Sequence, residues 1–385
     1  MAGKIVRVPV NPEMLRWARQ RAGRDIESLR KAFPKIDAWE RGEIQPTMKQ
    51  LERFAHKMHL PFGFLFLVAP PDEPVPIPDF RTTAGASRRP SPDLLDTIYV
   101  CQQRQEWYRG YLQTLGEKPL SFVGASSLDD DPVQVAADIR RHLHFDIQER
   151  QEIPTWTEAL RRFIEQAGTA GVLVMRSGIV GSNTHRKLDP EEFRGFVLAD
   201  KLAPLVFINA ADTKSAQMFT LAHELAHIWL AESGVSDAGI TVFPDKGIER
   251  WCNQAAAELL VPLTAFQQAY RPKANLPEEL GRLARRFKVS TLVVLRRIYE
   301  IGALSREEFW QGYRDELNRL RQFERRRGGG GDFYRTLPAR VGKSFAEAVV
   351  ISTLEGETLF RDAFQMLGIR KQETFRKLAQ ALGVP

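Results

Sequence analysis

Phe219-Thr220-Leu221-Ala222-His223-Glu224-Leu225-Ala226-His227 is the stretch on which the reading of this chain turns. It contains neither proline nor glycine, and its leucines and alanines favour a helix. Residues four apart on a helix lie one turn apart on one face, so His223 and His227 present two imidazoles to the same point. Glu224 sits one position on, within reach of a water held at that point. Two histidines and a carboxylate at this spacing suit a catalytic zinc ion, which takes three protein ligands and keeps a fourth position open. The metal lowers the pKa of its water, and Glu224 takes the proton as hydroxide attacks an amide carbonyl. An ordinary packed helix face would instead bury Glu224 between two histidines without a partner, which costs several kcal/mol. The expected cofactor is therefore one Zn2+ per chain, with His223 and His227 as ligands and Glu224 as the catalytic base.

Five acidic residues downstream are candidates for the third ligand: Glu232, Asp237, Asp245, Glu249 and Glu258. Glu232 follows His227 too closely to fold back unless the helix ends at once. Glu249 and Asn253 share one face of the next helical stretch. Glu249 is thus the preferred ligand, with Asn253 placed to hydrogen-bond a ligand histidine. Glu258 is two and a half turns beyond Glu249 and points elsewhere, towards an ordinary helix role or an arginine. Cys252 reads as a packed thiol. His56, His59, His142, His144 and His185 lack ligand spacing relative to the motif.

Outward from the motif, the pattern alternates between apolar strands and helices. Gly171 to Met175, Phe193 to Ala199 and Leu205 to Ile208 read as strands, the last two joined as a hairpin through Asp200 to Pro204. Residues 92–117 and 132–167 read as helical, as do about 214–231, 246–260 and 263–324. The proline-rich run Pro70 to Pro78 disfavours helix and suits a semi-rigid spacer. Gly328 to Gly331 reads as a hinge. The expected division is a helical module at 1–69, a linker at 70–91, the motif-bearing domain at 92–327, and a hinge with a small helical unit at 328–385.

Composition narrows the class. Among 385 residues, 43% are hydrophobic and 27% charged, the balance of an ordinary globular protein. No apolar run is long enough to span a bilayer, and the start of the chain lacks a secretory pattern. Two cysteines are too few for a disulfide framework, which fits a cytoplasmic location. The net charge of +7 is modest for this length, and part of it lies in the block from Arg319 to Arg327, which reads as a solvated helix face.

Phe219 to His227, followed by Glu249-Arg250-Trp251-Cys252-Asn253-Gln254-Ala255-Ala256-Ala257-Glu258-Leu259-Leu260-Val261-Pro262, resembles the ImmA/IrrE family of bacterial metallopeptidases. Arg194-Gly195-Phe196 and Pro204 to Asn209 match the family's strands. The closest resemblance covers about 155–265; Cys252 and Ala255 depart from the family's alanine and phenylalanine, as packing changes. The resemblance implies an α+β, zincin-like fold in which a small antiparallel sheet packs on the two ligand helices. It carries His223, His227 and Glu249 over as ligands and Glu224 as the base. It also implies a cytosolic enzyme that cuts a specific regulatory protein, typically a phage or stress-response repressor with a helix-turn-helix domain; an antitoxin is the other substrate expected for such a peptidase.

The first segment resembles the Xre-type helix-turn-helix through Trp39-Glu40-Arg41-Gly42, Pro46 and Leu51 to Ala55. Only nine residues separate Leu29 from Trp39, and Pro34 falls where a recognition helix would begin, so few side chains are left to read a major groove. Arg30, Lys31, Lys35 and Arg41 are the candidates for phosphate contact. A scaffold or docking role suits this module better than sequence-specific DNA binding. The alternative to a peptidase is a DNA-binding transcriptional regulator, or an antitoxin-like protein, whose peptidase fold mainly holds partners. In Pro76 to Thr82, Asp79 and Arg81 are candidates to hold the linker near the cleft.

Overall fold

The computed structural model describes residues 6–80, 90–236, 247–324 and 333–384. The glycine run at 328–331, Arg81, Asp237 and Asp245 lie outside the described residues. The chain divides into two compact units: one holds the residues up to Pro76 and those from 90 through Ile98, the other Ile77 to Phe80 and the rest from Tyr99 onward.

The first unit contains α1 (Pro12–Arg21), α2 (Ile26–Arg30), α3 (Ile36–Glu40) and α4 (Met48–Lys57), followed by a 3-10 turn at Phe62–Phe66. Side-chain caps fix the starts of three helices: Asn11 for α1, Asp25 for α2 and Thr47, in a capping box with Gln50, for α4. Leu15, Ala18, Leu29, Ile36, Trp39, Leu51 and Phe54 form its core. The helix that would enter a groove, α3, has five residues, and Ile36 and Trp39 spend two of them on the core. Its flanking charges pair internally: Glu40 accepts from Arg19 at 2.7 and 3.1 Å, and Asp37 from Arg30 at 3.0 and 3.1 Å.

The second unit runs from the part of α5 (Pro92–Thr114) beyond Ile98 through α6 (Pro132–His142), α7 (Ile147–Glu152) and α8 (Trp156–Thr169) into β1 (Leu173–Ser177), β2 (Gly195–Leu198) and β3 (Leu205–Asn209). Then come α9 (Lys214–Leu230), β4 (Gly234–Ser236) and α10 (Gly247–Leu260). The chain continues with α11 (Leu263–Ala269), α12 (Leu276–Phe287), α13 (Thr291–Glu300), α14 (Arg306–Glu324), α15 (Phe333–Val341), α16 (Lys343–Leu354), α17 (Phe360–Leu367) and α18 (Gln372–Leu382). The stretch expected as one helix over 132–167 is three. His144 takes a left-handed φ of 51°, Asp146 caps α7, and Pro154 precedes Thr155, which caps α8.

The sheet is mixed, with order β1-β3-β2-β4, and this corrects the expected all-antiparallel sheet. β2 and β3 form the expected antiparallel hairpin, and β2 also pairs antiparallel with β4, but β1 pairs parallel with β3. The cause lies in the connections. The long loop after β1, pinned by a bridge between Ile179 and Lys187, sets β2 one strand away from β1. The tight turn at Asp200, whose Oδ1 accepts from Leu202 N and Ala203 N, then folds β3 into the gap. β4 is three residues long and was not legible as a strand. Beyond it, Asp79 bridges Val235 in parallel: Phe80 N donates to Val235 O, and Val235 N to Pro78 O, both at 2.9 Å.

The motif helix α9 starts on a Thr213 cap and ends on Ala231 in the left-handed region. Every residue from Gln217 to Trp229 is buried, since α8 and α10 pack on α9 together with β2 and β3. A helix buried on all sides belongs at the centre of a domain, and α9 is there, with His223, Glu224 and His227 among its buried side chains. α6 packs on α10, and α15 and α16 cover β1.

Candidate metal centre

His223 and His227 project from α9 as their spacing requires, and the first turn of α10 brings Glu249 against both. The Nε2 atoms of the two histidines lie 3.1 Å apart; Glu249 Oε1 is 3.1 Å from His227 Nε2, and Oε2 is 3.4 Å from His223 Nε2. All three side chains are buried. Such a set fits a metal ion. Ligand bonds of about 2.0–2.2 Å in a tetrahedron place donor atoms roughly 3.3–3.6 Å apart, close to the separations seen here. It fits a plain hydrogen-bonded cluster less well, because two imidazole nitrogens would share the space of one proton. Among the described residues, this trio is the one group of three or more histidine, cysteine or acidic side chains converging in this way.

The surroundings orient the donors. Asn253, one turn along α10 from Glu249, sets its Oδ1 3.1 Å from His223 Nδ1. An amide oxygen can only accept, so the ring proton belongs on Nδ1 and the Nε2 lone pair faces the cluster. His227 Nδ1 is buried with no hydrogen-bond partner among the described residues. Burial works to raise the Glu249 carboxyl, but the two imidazoles outweigh it and hold it down at about 2.

Glu224 is fully buried beside the trio. Its Oε2 accepts from Ser236 Oγ at 3.3 Å, while Oε1 has no partner among the described residues. Burial pushes its carboxyl up to about 8, and Glu249 adds to the rise. Space for Oε1 is made by Gly195 on β2. A Cβ there would lie 3.0 Å from Oε1, 2.9 Å from Phe207 O and 2.5 Å from Thr220 Cγ2. The ring of Phe80 stacks on His227, with centroids 5.6 Å apart and planes 11° from parallel.

The remaining candidates fall elsewhere. Glu232 is exposed past the end of α9. Glu258 pairs with Arg297 at 2.7 Å and accepts from Leu263 N at 3.0 Å. Cys252 and Cys101 are both free and buried. His142 packs against Phe122, 4.6 Å between centroids, and His56, His144 and His185 are exposed. Sequence reasoning missed Ser236, Gly195 and Phe80. Gly195 left a signal, as the glycine of the Arg194-Gly195-Phe196 match, and Phe80 lies in the Pro76 to Thr82 stretch, where Asp79 rather than Phe80 was the expected contact; Ser236 arrives through strand pairing, which no local pattern records.

Residues 167–299 match the peptidase M78 family model, described as an IrrE N-terminal-like domain. That span takes in the whole sheet, α9, α10 and the helices through most of α13, and it supports reading this region as a metallopeptidase domain. Residues 341–381 match a second model, a domain of unknown function (DUF8813). Neither model extends over the N-terminal helices. No curated protein matches the chain. No helix among the described residues is long and apolar enough to cross a membrane.

Proposed function

We propose that this chain is a zinc-dependent endopeptidase of the HExxH type, acting in the cytoplasm on a specific regulatory protein of repressor or antitoxin kind. The observation that carries the reading is the convergence of His223 Nε2, His227 Nε2 and Glu249 at tetrahedral-edge separations, with Glu224 beside them. The substrate class rests on the family resemblance alone.

His223, His227 and Glu249 would hold the ion, which supplies the Lewis acidity that activates water and stabilises charge on a carbonyl oxygen. The chain's own groups do the rest. Ser236 steadies Glu224 through Oε2, and this leaves Oε1 to take a proton from the attacking water. The same carboxyl then hands the proton to the leaving amine. Asn253 keeps His223 in one tautomer and orientation. The buried setting excludes bulk water, which strengthens each of these interactions.

In the N-terminal unit, the short α3 and the internal pairing of Arg30 with Asp37 favour a docking role over groove reading. The peptidase reading is tested with a Glu224→Gln variant of the full chain. Metal analysis should find one zinc per chain in both forms. Partners held by the variant should be cleaved by the wild type and left intact by the variant. Cleavage that persisted in the variant would remove Glu224 from the mechanism, and a metal-free wild type would remove the zinc reading.

A further inference from the structure

The sheet has two edges. The β1 edge lies under α15 and α16, while the β4 edge lies beside the metal centre, because Ser236 of β4 touches Glu224. An extended peptide adding to β4 would pair through its main chain and run along the site. In the structure that edge is already taken by this chain's own Pro78 to Phe80.

We propose that Pro78 to Phe80 is an internal strap that occupies the peptide-pairing edge of β4, and that an extended substrate segment with an aromatic side chain displaces it. The inference rests on the peptidase reading. Two independent features place the strap on the site. Phe80 stacks on His227, a candidate ligand, and so covers one face of that ring. Gly234 of β4 makes room for it: a Cβ at that position would collide with the Phe80 ring and lie 3.2 Å from Pro78 O. Gly234 and Ser236 point to the same side of the sheet, so the ring passes over β4 onto the face that carries Glu224.

The pairing is cut off on one side. Two hydrogen bonds through Val235 join strap to strand. Pro78 has no N–H, so the ladder cannot continue towards its N-terminal side, and Pro76 carries the same defect. A substrate segment without prolines would offer the donors that the strap lacks, and its aromatic side chain would fill the space above Gly234.

The test is a titration, followed by fluorescence anisotropy, of a labelled synthetic peptide with the sequence Pro-Val-Pro-Ile-Pro-Asp-Phe-Arg-Thr, residues 74–82. It is run against the full-length wild type and full-length Phe80→Pro, which loses both the ring and the donor to Val235. If the edge is open about a tenth of the time in the wild type, the variant binds the peptide about ten-fold tighter. Replacing the peptide's phenylalanine by alanine should abolish that gain. Equal affinity for both proteins, with melting temperature preserved, would overturn the strap. Should the proline variant not fold, Phe80→Ala keeps the main-chain pairing and loses only the ring; peptide affinity at the wild-type level would then overturn it. Zinc content of the wild type is measured separately. A metal-free protein refutes the peptidase reading, whereas the titration judges the strap alone.

Discussion

The Oδ1 atom of Asn253 lies 3.1 Å from the Nδ1 atom of His223, on the side of the ring away from Glu249. The contact fixes which nitrogen carries the proton, and it also fixes the plane of the ring. Asn253→Ala should therefore weaken zinc binding about 10–100-fold, the usual effect of losing a group that orients a ligand histidine. Competition against a chelating dye measures this directly. An unchanged dissociation constant would show that packing alone orients His223.

Gly195 faces Glu224 across the sheet-to-helix contact, and the space it leaves is already filled to van der Waals distance. A methyl group at 195 has backbone on one side, Phe207 O, and can relax only by moving Thr220 or Glu224. Gly195→Ala should cut turnover of a trapped substrate by about 100-fold, as displacement of a catalytic group by around 1 Å does. Zinc content should stay at the wild-type level, because none of the three candidate ligands is touched. Full activity in the folded variant would mean that Glu224 tolerates displacement.

What could be read in the sequence followed from periodicity. His223 and His227 share a face because four residues make about one helical turn, and the same rule brings Asn253 beside Glu249. That rule also sends Glu258 to another face, where it meets Arg297. Its partner was not legible, since the two residues belong to different helices, α10 and α13. The hairpin of β2 and β3 was legible from two apolar runs around an Asp turn. The parallel partnership of β1 with β3 was not, because it depends on where the loop at 178–194 deposits β2. β4, with three residues, is too short to show alternation, and so its two contributions, Ser236 against Glu224 and Gly234 under Phe80, stayed hidden.

The Glu258–Arg297 pair sits at 2.7 Å with both side chains almost wholly buried. Arg297 also reaches Glu300 at 2.6 Å, but Glu300 keeps Arg296 at 2.8 Å if Arg297 is lost. Glu258 keeps the Leu263 N–H, at 3.0 Å, and the nearby charge of Arg140, which donates to its backbone carbonyl at 2.6 Å. Arg297→Met removes the one guanidinium that hydrogen-bonds this buried carboxylate among the described residues, and it should destabilise the domain by about 3 kcal/mol, the low end for breaking a buried pair. Urea unfolding of the two proteins measures the difference. A loss below about 1 kcal/mol would place this pair with the weak, solvent-screened ones.

Ala231 closes α9 four residues past His227 and holds a φ of 56°, a region that costs an ordinary L-residue roughly 1–2 kcal/mol. Its N–H caps the helix through the carbonyls of His227 and Ile228, so the conformation is part of how the motif helix ends. Glycine would remove the strain, but it would also enlarge the unfolded ensemble at a cost of about 0.4–1 kcal/mol. Relief of the strain outweighs that cost. Ala231→Gly should raise stability by about 0.5–1 kcal/mol, seen as a higher urea midpoint with an unchanged slope. Because the exposed methyl contacts no candidate ligand, zinc affinity should not move. A lower midpoint would mean that the Ala231 methyl contributes packing against Gly124 that outweighs the strain.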